Sequence, residues 1–402
     1  PVDTGNFDAA FKWSMLEAVT ATTPLDDALD GVAIQSDNWQ ALNTISDKYR
    51  GKVSCVYADP PYNSDAGPIS YKNGYRHASW IALVQDRLRV ARHFLDEDGV
   101  FCITIDDYEA HRLRSLAEHA ISEYQLLGVA PIKNNPAGRT GTTGFSICHE
   151  YALFYGITGA AQVDRLEHNE SQKARYKEKD EIGFFEWTNF RKHGGLNTYK
   201  TARPRQFYPI YVAGESIRIP SMSWNNQNRQ YVITDPPIAG EEVLLPIDDK
   251  GNERIWDFII ETAKNNIVHL KVRKDSHGET AIYRKWRIND DGLLPQTWWD
   301  KKLYSATEYG TNLLTRLFGA AHAFMFPKSL HAVIDCLRVG GLRSDQGGMA
   351  LDFFAGSGTT GHAVIELNRQ DGGSRKFLLV ESGRRATSTA AWTVSLPPSV
   401  IS

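Results

Sequence analysis

Apolar and polar residues follow one another along the first part of the chain in a pattern that predicts alternating strands and helices. The run "GKVSCVYADPPYN" is typical of a buried strand ending in a loop, and two more strands are expected at 100–106 and 150–157. Over 77–96 apolar residues recur every three to four positions, which predicts an amphipathic helix that stops at Asp98-Gly99. Strands of nearly continuous apolar residues separated by a helix favour a parallel sheet covered by helices.

The pattern changes from about residue 160 to residue 310, where the chain is polar, rich in aromatic residues, and offers only short irregular strands. Near residue 328 it returns as the helix "KSLHAVIDCLRV", the strand "MALDFF", the helix "TTGHAVIELNRQ" and the strand "RKFLLVE". The segment 382–402 is rich in Ser, Thr and Pro and predicts no element. We therefore expect an α/β unit formed by residues 1–160 and 312–402, with a separate domain inserted at 161–311.

Composition and charge restrict the classes of protein to which the chain can belong. The 402 residues carry a net charge of −3, so a nucleic-acid surface would have to arise from local clustering. The four cysteines lie far apart without a Cys-x-x-Cys motif, which favours reduced thiols in a cytoplasmic protein and no metal site. The start lacks a signal sequence, no apolar run is long enough to span a membrane, and the missing initiator Met suggests a processed or partial chain.

A glycine-rich motif follows one predicted strand and opens a helix. The segment from Gly356 to Gly361 fits G-x-G-x-x-G, and Glu381 ends the next strand. Glycines let the backbone approach a ligand closely, and a carboxylate at the next strand end can hold a ribose diol. The motif therefore predicts an adenosine-containing cofactor. A tight turn without a ligand and an NAD- or FAD-dependent oxidoreductase remain alternatives.

A second motif, Asp59-Pro60-Pro61-Tyr62, ends the first predicted strand. The prolines fix their φ angles and lack N–H groups, so their carbonyls are presented rigidly beside the Asp59 carboxylate. Such a pair of acceptors suits an amino group with two N–H bonds, and Tyr62 offers a ring for stacking a flat base. Paired with the glycine-rich loop, it favours methyl transfer from S-adenosyl-L-methionine to an amine. The plain alternative is a rigid turn with a surface acid.

At these motifs the sequence resembles the amino-group DNA methyltransferases, which carry Asp-Pro-Pro-Tyr and Phe-x-Gly-x-Gly. The catalytic motif comes first and the cofactor motif last, which is the β-class order. Matches such as "ADPPYNS", "CHEYALFY", "RPRQFYPIYV", "FPKSLHAVI" and "LDFFAGSGTTGHAV" resemble the modification subunit of type III restriction–modification systems. The resemblance implies a doubly wound, mostly parallel, Rossmann-like sheet, a target-recognition domain in the insert, and adenine N6 as the target.

The resemblance also assigns residues. Asp59, Pro60, Pro61 and Tyr62 match the catalytic loop. Glu381 matches the ribose-binding acid, Lys328 a wall of the methionine site, and Asp37 the acceptor for the cofactor's adenine amine. Lys328 as a plain helix-start cation and Asp37 as a helix N-cap are the alternatives. The full set of expected cofactor-binding residues is Asp37, Asp59, Lys328, Asp352, Phe353, Phe354, Gly356, Gly358, Thr359 and Glu381.

The insert carries two basic windows in an otherwise neutral chain. Seven Lys or Arg residues stand against one acid over 188–230, and seven more stand against two acids over 264–287. Local clustering of this kind is typical of phosphate contact, and Asn and Gln side chains can read adenine edges. A solvated polar surface is the plain alternative. The expected DNA-binding residues are Arg191, Lys192, Arg203, Arg205, Asn225 and Arg229.

Together with these observations, the resemblance implies a sequence-specific DNA methyltransferase that modifies the N6 amino group of a flipped-out adenine, within a restriction–modification or phage-defence system. The expected partners are double-stranded DNA and a second copy of the chain, with a restriction subunit as an optional further partner and no membrane. Three alternatives stay open: cytosine-N4 transfer, an oxidoreductase built on the glycine-rich loop, and a DNA-reading subunit without catalysis.

Overall fold

The computed structural model divides the chain into two compact units, Pro1–Leu166 with Gly292–Ser402 and Glu167–Asp291. Residues 383–402, which fall in the segment without a predicted element, lie outside the described residues. No helix among the residues that the structure describes is long and apolar enough to cross a membrane. The described residues are 7–63, 74–120, 124–138, 144–168, 170–289, 291–319, 324, 326–343 and 347–382.

The strands, in chain order, are β1 (Gly31–Gln35), β2 (Val53–Ala58), β3 (Leu95–Ile105), β4 (Gln125–Ile132), β5 (Glu150–Gly156), β6 (Glu178–Lys179), β7 (Phe184–Asn189), β8 (Ile210–Ala213), β9 (Ser216–Arg218), β10 (Met222–Asn225), β11 (Gln230–Ile233), β12 (Glu242–Leu244), β13 (Leu270–Lys274), β14 (Thr280–Arg287), β15 (Met349–Asp352) and β16 (Lys376–Glu381). The helices are α1 (Ala9–Thr20), α2 (Leu25–Ala28), α3 (Asn38–Tyr49), α4 (His77–Ala91), α5 (Ala110–Ser115), α6 (Glu170–Lys173), α7 (Ile260–Asn265), α8 (Asn312–Phe318), α9 (Leu330–Val339) and α10 (Thr359–Asp371).

The first unit is built on a seven-stranded sheet with the order β1-β16-β15-β2-β3-β5-β4. The pairs from β1 through β3 are all parallel, and β5 runs antiparallel to both of its neighbours. The mostly parallel sheet confirms the expected fold class. From β15 the chain continues to its neighbour β16 on one side, and from β2 it continues to its neighbour β3 on the other side. The carboxyl ends of β15 and β2 therefore border a crevice of the kind in which α/β folds bind ligands.

Helices cover both faces of this sheet, as a doubly wound fold requires. On one face α4 buries Trp80, Val84 and Leu88 in the spacing predicted from the sequence. On the other face α9 and α10 pack against the sheet, where Val333 and Leu337 meet the strand cysteines. Because apolar residues fill both sides of each central strand, these strands form the core of the unit.

Some element bounds differ from those predicted. The helix expected over 77–96 ends at Ala91, and a 3₁₀ turn over Arg92–Phe94 leads directly into β3. Asp98 and Gly99, at which the helix was expected to stop, lie in the first half of that strand. The strand β1 was not predicted, because its partly exposed residues carry a weak pattern at the sheet edge. The reversed direction of β5 was also missed, since an apolar run does not encode strand direction.

The second unit contains three small antiparallel sheets, β12-β8-β9, β10-β11 and β13-β14-β7-β6. Its core includes the fully buried Phe190, Tyr208 and Ile210. The unit is shorter than the insert expected at 161–311. Residues beyond Asp291 pack within the first unit, where Trp299 and Tyr304 join a core with α9, because their large rings are buried there.

Candidate active site

The loop after β2 holds Asp59 at the centre of the carboxyl edge of the sheet. Thr104, on the neighbouring β3, donates a hydrogen bond from its hydroxyl to Asp59 Oδ1 across 2.7 Å. The buried indole of Trp80 donates to the Pro61 carbonyl across 2.8 Å. Among the described residues no hydrogen bond reaches the Pro60 carbonyl or Asp59 Oδ2. The loop therefore offers two fixed acceptors, one carboxylate oxygen and one carbonyl.

The end of this loop is anchored through Asn63. Its φ of 58° lies in the left-handed region, which Asn tolerates better than most residues. The Asn63 amide donates to Glu109 Oε1 across 2.7 Å, and its oxygen accepts from the Tyr75 N–H across 2.7 Å. His77 lies 2.7 Å from the same Glu109 oxygen. These bonds fix the loop at its far end, as Trp80 fixes its middle.

Lys328 lies against the loop 59–63 that follows β2, the acceptor loop. Its Nζ is 3.0 Å from Asp59 Oδ1 and 2.6 Å from Glu150 Oε2, and it also donates to the Tyr62 hydroxyl. Burial favours the neutral amine, but the Asp59 and Glu150 carboxylates outweigh it and raise the pKa of Lys328 above its usual value. The sequence assigned Lys328 to the methionine site of the cofactor, whereas its contacts in the structure are with the catalytic loop.

Tyr62 belongs to the same cluster. Its hydroxyl donates to Glu150 Oε2 across 2.9 Å, and the Lys328 ammonium lies 4.4 Å from its ring centroid. Burial, followed by the charges of Asp59 and Glu150, raises the pKa of Tyr62 well above its usual value, so the phenol stays protonated. The stacking role expected for the Tyr62 ring stays a prediction.

The glycine-rich loop lies at the end of β15, beside the acceptor loop. Gly356 and Gly358 have φ angles of 52° and 77°, which L side chains rarely adopt. The Gly356 N–H donates to Glu381 Oε2 across 2.7 Å, which ties the loop to the end of β16. A Cβ at Gly356 would meet only the Phe354 carbonyl, at 3.8 Å, so the loop leaves open space there.

Asp352 supports the loop from within. It is buried, and it accepts from the Phe354 N–H across 2.9 Å and from the Thr360 hydroxyl across 2.6 Å. Burial raises the pKa of Asp352 to about 7, and the charges of Asp59 and Glu381 add to this effect. Phe353 is fully buried and packs against Phe101. Asp352 and Phe353 therefore both hold the glycine-rich loop in place from the core side.

Asp37 extends the site by one more strand. It follows β1, whose Gln35 pairs with Glu381, and the Ser36 N–H donates to the Glu381 carbonyl across 3.0 Å. Asp37 Oδ1 accepts from the Trp39 and Gln40 amides, so the residue is the N-cap of α3. Its Oδ2 lies 3.5 Å from Arg87. Three neighbouring strand ends thus bring the Asp37 and Glu381 carboxylates and the glycine-rich loop together, and two acceptors beside an open backbone fit an adenosine.

Several residues of the site were not predicted. Glu150 is nearly fully buried at the start of β5, and the only sequence signal was an acid directly before the apolar run "YALFY". Trp80 and Thr104 looked like core residues of an amphipathic helix and a buried strand. Their side chains reach the loop only because the sheet places β3 and α4 beside β2.

The predicted DNA-binding residues divide into two groups in the second unit. Arg191 lies 3.3 Å from Asp249 and Lys192 lies 2.8 Å from Asp257, so acids compensate both charges. The unit as a whole has twenty Lys and Arg against nineteen Asp and Glu. The others lie at or near the surface around the hairpin β10–β11: Arg203, Arg205, Asn225 and Arg229.

The doubly wound sheet places a glycine-rich loop that fits an adenosine beside a loop with two acceptors for an amine. This combination is typical of a group-transfer enzyme. A sequence profile of the N6/N4 DNA methylase family matches residues 53–391, and the chain belongs to this family. It is therefore a DNA methyltransferase that uses S-adenosyl-L-methionine. Family membership removes the oxidoreductase alternative.

Three relatives illustrate the similarity. The type II methyltransferase M.KpnI of Klebsiella pneumoniae is 30% identical over 91% of this chain and 84% of its own length. The EcoPI Mod subunit of Escherichia phage P1, a type III restriction–modification enzyme, is 28% identical over 87% of this chain. The EcoP15I Mod subunit of Escherichia coli is 25% identical over 87% of this chain. The chain spans only 57% and 58% of these two Mod subunits.

Solved structures give weaker matches. The M1.HpyAVI–SAM complex is 13% identical with a TM-score of 0.38, covering 88% of this chain and 94% of that one. The cytosine-N4-specific PvuII DNA methyltransferase is 11% identical with a TM-score of 0.43, covering 88% of this chain and 82% of that one.

Proposed function

We propose that the enzyme methylates the N6 amino group of an adenine flipped out of duplex DNA, at a specific sequence. The observation that carries this proposal is the pair of acceptors, Asp59 Oδ2 and the Pro60 carbonyl, at the strand end beside the glycine-rich loop. An exocyclic amine has two N–H bonds, and the pair can accept one from each. Asp rather than Ser at position 59 resembles the adenine-N6 enzymes of the family more than the cytosine-N4 enzymes.

The acceptor pair acts on the electrons of the amine. The lone pair of an adenine amino group is delocalised into the ring, which makes the nitrogen a poor nucleophile. Hydrogen bonds from both N–H groups to Asp59 and Pro60 favour a pyramidal nitrogen and localise the lone pair. Bound S-adenosyl-L-methionine supplies an electrophilic methyl group. Asp59 then accepts the proton that the nitrogen gives up, since its carboxylate already holds that N–H.

The cofactor side of the site is held by neighbouring strand ends. Glu381 can accept from a ribose diol, because its carboxylate is fixed by the Gly356 N–H. Asp37 Oδ2, which does not cap α3 and lies 3.5 Å from Arg87, can accept from an adenine amine. Gly356 and Gly358 let the backbone approach the ligand without side chains in between.

The second unit supplies a surface for DNA around the hairpin β10–β11. Arg203, Arg205 and Arg229 are exposed, and the Arg205 guanidinium lies 5.4 Å from the ring of Trp224. We assign phosphate contacts to these arginines and base-edge contacts to Asn225. Arg191 and Lys192, which are compensated by acids, are assigned to the structure of the unit rather than to DNA.

The enzyme acts as the modification component of a restriction–modification system, in this proposal. Similarity to Mod subunits of type III restriction–modification enzymes supports it and motivates a restriction subunit as a partner. The homodimer is what the family resemblance implies. Size-exclusion chromatography with light scattering tests the dimer. A monomeric mass at all concentrations that support activity would contradict it.

The target base is tested with labelled S-adenosyl-L-methionine and unmethylated genomic DNA, followed by hydrolysis to nucleosides. We expect the label on N6-methyladenine, and label on cytosine would overturn the adenine assignment. Asp59→Ala should abolish transfer while calorimetry shows cofactor binding within about twofold of wild type. Modified-base sequencing of DNA from expressing cells then gives the recognition sequence.

A further inference from the structure

Two carboxylates and one ammonium meet beside the acceptor loop. Lys328 Nζ lies 2.6 Å from Glu150 Oε2 and 3.0 Å from Asp59 Oδ1. The side chains of Glu150 and Lys328 are only 4% and 14% exposed, so water screens their charges weakly. If all three groups are ionised, the cluster carries one net negative charge.

The position of Lys328 presents an electrostatic problem for the reaction. An ammonium beside Asp59 opposes the positive charge that develops on the amine nitrogen during methylation. It also competes with the amine as a donor to the same carboxylate. A second carboxylate that binds the ammonium more closely removes much of both effects, and Glu150 is the closer of the two by 0.4 Å.

Tyr62 holds that second carboxylate in place. Its hydroxyl donates to the Glu150 oxygen that binds Lys328, across 2.9 Å. Because the phenol stays protonated, it acts as a donor over the whole working pH range. Glu150 thus accepts from one neutral donor, Tyr62, and one cationic donor, Lys328. Tyr62 belongs to the acceptor loop, and Lys328 contacts it.

We propose that Glu150 is a positioning residue that draws the Lys328 charge away from Asp59. Lys328 then orients Asp59 through Oδ1, together with Thr104, and leaves Oδ2 with its negative charge for the target amine. This inference rests on the proposed function and deepens it, because it requires that the target amine binds to Asp59 while it is methylated. It applies equally to an adenine or a cytosine amine.

A double-mutant cycle tests the inference. Glu150→Gln keeps the shape of the side chain but leaves Lys328 to neutralise Asp59, and we expect single-turnover transfer to fall about 10²-fold. Glu150→Gln with Lys328→Met restores one net negative charge on Asp59. The double variant should therefore be at least about tenfold faster than Glu150→Gln alone.

The rescue separates an electrostatic role from a structural one. If Glu150 only supported packing, removing Lys328 as well would leave the rate equal to or below that of Glu150→Gln, and the inference would be overturned. We expect the loss in kcat, with the KM for DNA and the calorimetric affinity for S-adenosyl-L-methionine changed less than about threefold. A loss confined to KM would also contradict the inference.

The chain offers a matched control on helix α9. Lys301 lies 2.6 Å from Asp335, which also accepts from the Tyr304 hydroxyl across 2.6 Å, so a carboxylate, an ammonium and a tyrosine hydroxyl also meet away from the acceptor loop. Asp335→Asn should change thermal stability but not the single-turnover rate. The nucleoside that carries the label in wild type tests the adenine assignment separately. Label on cytosine would overturn that assignment while the cycle still decides the role of Glu150.

Discussion

The indole N–H of Trp80 donates a hydrogen bond to the carbonyl of Pro61 across 2.8 Å, from a position with no solvent exposure. This bond uses one of the two prolyl carbonyls of the loop for structure and leaves that of Pro60 for the substrate. It also connects α4 to the acceptor loop, since Trp80 lies in the first turn of the helix. The precision of the acceptor pair therefore depends on a helix outside the motif.

Trp80→Phe should loosen the acceptor loop, because it keeps an aromatic ring but leaves the buried Pro61 carbonyl without its donor. We expect a loss of about 1–3 kcal/mol in the free energy of unfolding. We also expect kcat to fall about tenfold, since the two acceptors are no longer held still. Denaturant titration and single-turnover methylation measure the two effects.

Trp299 supplies the control for this prediction. It is also buried, and its indole donates to the Gln296 carbonyl across 2.7 Å, away from the loop. Trp299→Phe should lose comparable stability with kcat within about twofold of wild type. Equal losses of kcat in the two variants would show that the Trp80 bond acts through global stability alone.

Asp352 predicts a dependence of stability on pH. Its pKa is raised to about 7 in the fold, above the value of about 3.9 for an unfolded Asp, because the carboxylate is buried. The folded state therefore holds a proton that the unfolded state has lost between roughly pH 4 and pH 7. Over that range this group lowers stability as pH rises, by up to about 1.4 kcal/mol per pH unit.

Asp352→Asn removes this titration. The amide keeps an oxygen for the Phe354 N–H and carries no charge. Denaturant unfolding at several values between pH 5 and pH 8 should show the variant gaining on wild type as pH rises. A constant difference across that range would mean that Asp352 is ionised throughout and that its pKa is not raised.

Both motif loops could be predicted from the sequence because their geometry is encoded locally. Two prolines fix one loop, glycines at positive φ form the other, and strand ends place Asp59 and Glu381 at one edge. Glu150 and Lys328 are 178 residues apart in the chain, so no local pattern joins them. Their contact follows from a strand order that the sequence did not reveal.

The basic windows of the insert are a feature that the sequence predicted less well. The sequence counts treated each window alone, and the acids that compensate the cations lie outside both windows. Asp257 binds Lys192 and Arg284, while Asp180 binds Lys285 and Arg287. Counting charges along the chain therefore overestimated the basic surface, because pairing depends on which strands are neighbours.

Exposed arginines near the hairpin β10–β11 should carry part of the DNA affinity. Arg203→Ala, Arg205→Ala and Arg229→Ala should each weaken binding of duplex DNA and reduce the slope of log K against log salt by about 1. Fluorescence anisotropy at several salt concentrations measures both quantities. Calorimetry with S-adenosyl-L-methionine should show unchanged cofactor affinity.

Lys192→Ala gives the comparison for these arginines, since Lys192 is paired with Asp257 and Arg284 remains there to bind the acid. We expect its salt slope to equal that of wild type. If Lys192→Ala reduces the slope as much as Arg205→Ala does, phosphate contact extends to the paired cations, and the assignment by exposure is wrong.

Gly356 and Gly372 provide a matched pair of backbone positions in the cofactor half of the fold. Both have positive φ, 52° and 71°; a methyl group at Gly372 would meet nothing within 4 Å, and one at Gly356 would meet only the Phe354 carbonyl, at an unstrained 3.8 Å. Alanine at either site should cost about 1–2 kcal/mol in stability, because the left-handed region is strained for L residues. Gly372 caps the C-terminal end of α10, opposite to the end at the loop, whereas Gly356 lies in the loop and its N–H donates to Glu381. We therefore expect Gly356→Ala to weaken binding of S-adenosyl-L-methionine at least tenfold in calorimetry, and Gly372→Ala to leave it within about twofold. Equal affinities in the two variants would remove the Gly356 loop from the cofactor site.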